Sequence, residues 1–223
     1  MSITEKIAVK MGSNAKSYLN ANEDEEQIII YGAINLLQTL FAILCVIIFG
    51  LLLGVLYETL LFSITAGVLR KYSGGVHASS PSRCNIIGTS IACIAGIAID
   101  HILYKLSMFT VMWTSAAFII VALIIVVKNA PIDSVKKPIT NIEVKKQFKK
   151  KSIITILFFS GIILILFILS QRYAGVYCIK FIESISFGVL WQAITLTKGG
   201  ISLVNKVDFV LQYIFEGVKE YGK

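Results

Sequence analysis

A histidine and a cysteine seven residues apart, His77 and Cys84, stand in the segment Arg70-Lys71-Tyr72-Ser73-Gly74-Gly75-Val76-His77-Ala78-Ser79-Ser80-Pro81-Ser82-Arg83-Cys84. An imidazole beside a thiol is the minimal apparatus of a cysteine nucleophile: the base takes the thiol proton and later returns one to a leaving amine. In a continuous helix the two residues would sit about 10 Å apart along the axis, at roughly 1.5 Å per residue, and imidazole would not reach sulfur. The sequence interrupts such a helix. Gly74-Gly75 can end one, and Pro81 suits the first position of the next, with Ser80 as its cap. The predicted loop folds back and brings His77 to Cys84.

With Ser80 as N-cap, Cys84 falls in or just after the first turn, where unpaired backbone N–H groups and the positive end of the helix dipole favour a thiolate; Arg83 adds a cation. The same N–H groups are candidates to receive the oxyanion of a tetrahedral intermediate. Ser79, Ser80, Asn85 and Ser90 are candidates to orient His77, although capping or helix packing accounts for each more simply. From these residues alone, a solvated loop histidine and an inert cysteine remain the commoner reading of such a pair. Cys45, Cys93 and Cys178 lie in or beside apolar stretches and read as small hydrophobes. No paired short cysteine spacing points to a disulfide framework or a zinc site, and no metal or cofactor is called for.

The elements that must hold this loop are membrane helices. Of 223 residues, 56% are hydrophobic and 15% charged, with a mean hydropathy of +0.79, too apolar for an ordinary soluble domain. A spanning helix needs about 20 mostly apolar residues, because lipid offers backbone amides no partner. The block Ile28 to Arg70 is too long for one span and right for two, reversing at Gly50 and Gly54. The expected fold is all-α and polytopic, one integral membrane domain over 1–223 with six transmembrane helices at about 28–50, 52–70, 81–100, 109–127, 153–170 and 177–196. No cleavable signal is expected at the start. Residues 1–21 predict an interfacial amphipathic helix, with Ile3, Ile7, Met11, Ala15 and Tyr18 opposite Lys6, Lys10, Ser13 and Ser17. Asn22 with Glu25 has the form of a capping box. Residues 199–223 predict a second amphipathic helix, a cytoplasmic tail to which no chemistry is assigned.

Orientation follows from the cations. With a cytoplasmic N-terminus, 18 of the 21 Lys and Arg residues fall inside, including eight lysines between Lys128 and Lys151; only Lys105, Arg172 and Lys180 fall near the outer face. Both termini and the His77–Cys84 loop are then cytoplasmic. This bias explains the net charge of +8 without a nucleic-acid partner. The lysine-rich loop 128–151 is expected to touch anionic lipid and to attract an acidic substrate tail. Glu58 and Glu183, ionisable groups in the outer half of the membrane, are functional candidates by default, with a structural or product-exit role favoured. His101 reads as an interfacial residue. Asn35, Gln38 and Gln192 are expected to bond across helices, and the Gly88/Ala92/Gly96 stripe to permit close helix approach.

The stretch Gly74-Gly75-x-His77-Ala78 with Cys84 seven residues beyond His77, preceded by Arg70, resembles the accessory gene regulator B (AgrB) family of quorum-sensing peptidases. A second match is Ala130-Pro131-Ile132-Asp133 with Lys137-Pro138-Ile139, and length and span number also fit across nearly the whole chain. The resemblance implies a cysteine endopeptidase of the cell membrane that cuts an AgrD-type precursor and helps close the released part into a cyclic thiolactone autoinducing peptide. It assigns nucleophile to Cys84 and base to His77, makes Arg70 and Gly75 supports of the loop, and favours a homodimer. The rival expectations are a small peptide transporter or exporter, and a scaffold without catalysis. Against a transporter, the sequence has neither duplicated halves nor paired interrupted spans.

Overall fold

The computed structural model describes residues 3–19, 22–76, 78–132, 141–172 and 175–216. Among them the chain is all-helical: α1 Ile3–Leu19, α2 Glu23–Leu52, α3 Leu56–Ser73, α4 Pro81–His101, a short 3-10 turn at Leu103–Lys105, α5 Met108–Asn129, α6 Ile142–Arg172, α7 Val176–Ile194 and α8 Lys198–Glu216. The chain forms two compact units, Met1–Cys45 and Val46–Lys223.

In the first unit, the predicted capping box is formed. Asn22 Oδ1 accepts the Glu25 N–H at 2.8 Å, and Glu25 Oε2 accepts the Asn22 N–H at 2.9 Å, so two otherwise orphaned donors are satisfied reciprocally. Four acids in the first turn complement the α2 dipole. Lys16 of α1 pairs with Glu26 at 2.8 Å, and Gly12 lets Ile30 pack against α1. The Asn35 amide donates to Tyr31 O of its own helix at 2.9 Å, and among the described residues it has no bond to another helix.

In the second unit, α3 packs against α4, α6 and α7, and α5 against α6 and α7. The core joins Leu69 to Val111, Ala122 and Val126 of α5, Ile156 of α6, and Ile182, Val189 and Ala193 of α7. Leucines and isoleucines on α5 and α6, among them Ile120, Ile124, Leu157, Leu164, Ile165 and Ile168, remain exposed. An outward apolar surface of that extent suits lipid rather than water.

Four helices are long and apolar enough to cross a membrane, Glu23–Leu52, Pro81–Lys105, Met108–Asn129 and Ile142–Gln171; α7 with α8, bent by 90°, makes a fifth if the pair counts as one. Helices occupy all six stretches predicted as spans, but α3 does not reach that standard. It has 18 residues, with Glu58 in its first turn and Arg70 and Lys71 in its last. The lysine-rich stretch predicted as a loop is in part helix, because α6 begins at Ile142. Asn141 Oδ1 caps it through the Glu143 N–H at 2.8 Å, and lysine is a good helix former. The small-residue stripe of α4 divides: a Cβ on Gly96 would stand 2.8 Å from Thr59 Cγ2 of α3, while Gly88 has open space. Close approach within the chain therefore accounts for Gly96.

Candidate active site around Cys84

The end of α3 is set by Gly74, whose φ of 67° is left-handed and whose N–H closes on Arg70 O at 3.0 Å. That geometry suits glycine. A second constraint comes from the segment after α5: the Ile132 N–H donates to Ser73 O at 3.0 Å, and Gly74 and Ile132 form an isolated parallel bridge. A Cβ at Gly74 would lie 2.0 Å from Ile132 O. From α7, the buried Gln192 amide donates to Gly74 O at 2.7 Å and to Ser73 Oγ at 3.1 Å. Gln192 thus bonds across helices as expected. Gly75, with φ of 140°, sits close to α7: a Cβ there would stand 3.1 Å from Thr195 Oγ1 and 3.2 Å from Gln192 Nε2. The Ala-Pro-Ile segment and α7 together hold the glycine turn.

Gly74→Ala should therefore cost about 1–3 kcal/mol for the left-handed backbone alone, with the Ile132 clash in addition. A lowered unfolding midpoint in detergent, relative to the parent chain, is the check.

Beyond the turn, Arg70 reaches forward: its Nη2 donates to Val76 O. Its Nε is buried and has no hydrogen-bond partner among the described residues. Arg70, expected to support the loop, thus holds Val76 O. His77 lies outside the described residues. Its flanks are held, Val76 by Arg70 and Ser79 by the contacts below.

Cys84 is a free, half-buried thiol on α4. Ser80 takes the N-cap position in extended backbone, and Pro81 follows at the first helical position, as predicted; the Ser80 side chain makes no capping hydrogen bond. The Cys84 N–H donates to Ser80 O at 3.0 Å. The sulfur thus sits just past the first turn, and its own N–H is already used within the helix.

Arg83 has partners that the sequence did not indicate. Its guanidinium is buried against α8: Nε donates to Asp208 Oδ1 at 2.7 Å and Nη2 to Ser79 Oγ at 2.6 Å. The second Asp208 oxygen accepts the Ser79 N–H at 2.9 Å and its hydroxyl at 2.6 Å. The Ser79 hydroxyl thus donates to Asp208 and accepts from Arg83. Asn85 is half-buried and Ser90 exposed on α4. Burial pushes the Asp208 carboxyl up, but the Ser79 hydroxyl and N–H and the Arg83 charge outweigh it and hold the group below its usual value of 3.8. A depressed carboxylate contributes stability that is present above the unfolded value and lost as pH falls through the folded one. The clamp is therefore closed at neutral pH. Sequence reasoning missed Asp208; the available signal was a lone acid in register with Ile201, Val204 and Leu211 on one side of α8.

Glu58, Asp100 and their partners form a separate group. Lys180 of α7 pairs with Asp100 of α4 and stands 3.7 Å from Glu58 of α3, and His101 Nδ1 lies 3.3 Å from Asp100 Oδ2. Fifteen helical residues separate Glu58 from Ser73, about 22 Å at 1.5 Å each, so this cluster belongs to the opposite end of the bundle. Glu183 is buried nearby in sequence, and its Oε2 has no hydrogen-bond partner among the described residues.

The family model for accessory gene regulator B matches residues 4–196, and so spans α1 through α7 with the whole glycine turn, Cys84 and the Ala-Pro-Ile segment. The chain belongs to the AgrB family. It is 35% identical over 207 residues to an AgrB-like protein of Clostridium perfringens (strain SM101 / Type A), covering 92% of this chain and 96% of that one. A second AgrB-like protein of Clostridium perfringens (strain 13 / Type A) is 34% identical over the same shares. No solved structure matches. AgrB membership supports a role in agr quorum-sensing peptide processing and implies an AgrD-type precursor as substrate. With its apolar helices, it also fits a multi-pass membrane protein.

Proposed function

We propose that the chain is a membrane cysteine endopeptidase in which His77 activates Cys84, the thiolate attacks the scissile carbonyl of an AgrD-type precursor, and the acyl group passes to a thiol of the same precursor. The observation that carries this reading is the anchoring of the loop. The turn at Gly74 is locked by Ile132 and Gln192, Val76 is tied to Arg70, and Ser79 is tied to Asp208. Those anchors fold the chain back toward the start of α4, where Cys84 stands just past the first turn. The buried Arg70 Nε–H, without a partner among the described residues, is a donor suited to a developing oxyanion.

In this reading the six helices α2 to α7 cross the membrane, with both termini and the loop on the cytoplasmic side. The exposed Phe109, Trp113, Tyr57 and Tyr177 supply aromatic anchors at the outer interface. Helix α1 lies on the inner leaflet, and the lysines flanking α6 touch anionic lipid, each worth about 1 kcal/mol. Two copies associate as a homodimer.

The test uses the purified chain in sealed liposomes with its precursor. A shortened precursor fragment is expected with the parent chain and none with Cys84→Ala; movement of uncut peptide across the bilayer would instead identify an exporter. In cells whose copy lacks the native cysteines, an impermeant maleimide should label Lys105→Cys and spare Lys150→Cys. Labelling of Lys150→Cys from outside would overturn the orientation.

A further inference from the structure

The chain turns by 90° between α7 and α8, and this turn lays α8 along α4. The family match ends at residue 196, before α8 begins. One residue of α8 nevertheless reaches both sides of the proposed active site. Asp208 is 8% exposed and uses both carboxylate oxygens: Oδ2 accepts twice from Ser79, two residues after His77, and Oδ1 accepts from Arg83, the neighbour of Cys84. Ser79 Oγ and Arg83 Nη2 close the ring at 2.6 Å.

We propose that Asp208 is a positioning residue for the active-site loop, a carboxylate outside the family-matched stretch that fixes the segment carrying His77 against the helix start carrying Cys84. The proposal rests on the reading of His77 and Cys84 as a catalytic pair. The physical argument is register. Between Ser79 and Arg83 the chain changes from loop to helix, and a single rigid anion bonded to both leaves the loop little freedom to swing relative to the sulfur. Charge-assisted hydrogen bonds of this kind are short and directional, and a reacting pair displaced by about 1 Å loses much of its rate. The position of α8 explains why a charged residue occurs on its buried stripe between Val204 and Leu211, where an apolar residue would pack as well but hold nothing.

The probe is iodoacetamide, a small neutral alkylating agent, applied at neutral pH to the full chain with Cys45, Cys93 and Cys178 changed to Ala; modification of Cys84 is followed by intact mass. Cys84 is expected to react at least tenfold faster in this parent than in His77→Ala. Asp208→Asn should fall to the His77→Ala rate, the Asp208→Asn/His77→Ala double variant should be no slower than either, and Asp208→Glu should restore part of the loss. The direction separates positioning from mere structural support, since unfolding would expose the half-buried thiol and speed its reaction. Asp208→Asn reacting at the parent rate, or faster, while His77→Ala is slow overturns the role of Asp208 and leaves the pair intact. Equal rates for the parent and His77→Ala overturn the pair, and the positioning role falls with it.

Discussion

Cutting of the precursor is expected to fall by on the order of ten-thousandfold or more in Cys84→Ala and in His77→Ala alike, while expression and oligomer size stay unchanged. The thiolate is the nucleophile, so Cys84→Ala removes the bond-forming atom itself; His77→Ala removes both the base that makes the thiolate and the acid that protonates the departing amine. Groups that act as one unit are non-additive, so the double variant should be little worse than either single. Cys45, Cys93 and Cys178, each changed to Ala, should cut at the parent rate. Fragment yield against time in liposomes, measured by mass spectrometry, decides the matter. Near-parental cutting by Cys84→Ala would remove this residue from the mechanism.

What the sequence made legible here is mostly what backbone chemistry dictates. Gly74-Gly75 and Ser80-Pro81 are punctuation with a steric cause, and the helix end at Ser73 and the start at Pro81 follow from them. The capping box at Asn22 and Glu25 is equally local. Contacts that depend on distant segments were harder to foresee. The partner of Arg83 is one such contact: on a helix, consecutive residues point about 100° apart, and the Arg83 guanidinium bonds Asp208, 125 positions later. The Ala130-Pro131-Ile132 segment could be matched to a family pattern, yet its work of holding Ser73 and Gly74 through Ile132 is visible only in three dimensions. Span counting met a different limit. Helix α3 packs against α4, α6 and α7 and Glu58 in its first turn is buried there, so that charge is sheltered by protein, and hydropathy along one helix cannot register that shelter.

A precursor whose ring-forming Cys is changed to Ala should still be cut, yet remain attached to Cys84 as a hydroxylamine-sensitive adduct. The reason lies in the balance of bonds. Attack by the Cys84 thiolate forms a C–S bond and expels the amine, to which His77 delivers the proton, and the retained N-terminal part of the precursor becomes a thioester. With the natural precursor, its own thiol loses a proton and attacks that thioester: one C–S bond forms, another breaks, and Cys84 leaves as thiolate. One thioester replaces another of similar stability, so ring closure needs no ATP. Loss of the acidic C-terminal fragment by diffusion or proteolysis draws the exchange forward, and an amphipathic precursor held at the membrane keeps its thiol close to the acyl carbon, where proximity substitutes for concentration. Without that thiol the acyl group has only water to accept it, and the anchored, half-buried loop around Cys84 limits access. Intact mass of the chain after reaction should therefore show the added precursor segment, and hydroxylamine should remove it. Prompt release of linear acid from the variant precursor with no adduct, together with mainly linear acid from the natural one, would make the chain a simple hydrolase and end the acyl-transfer mechanism.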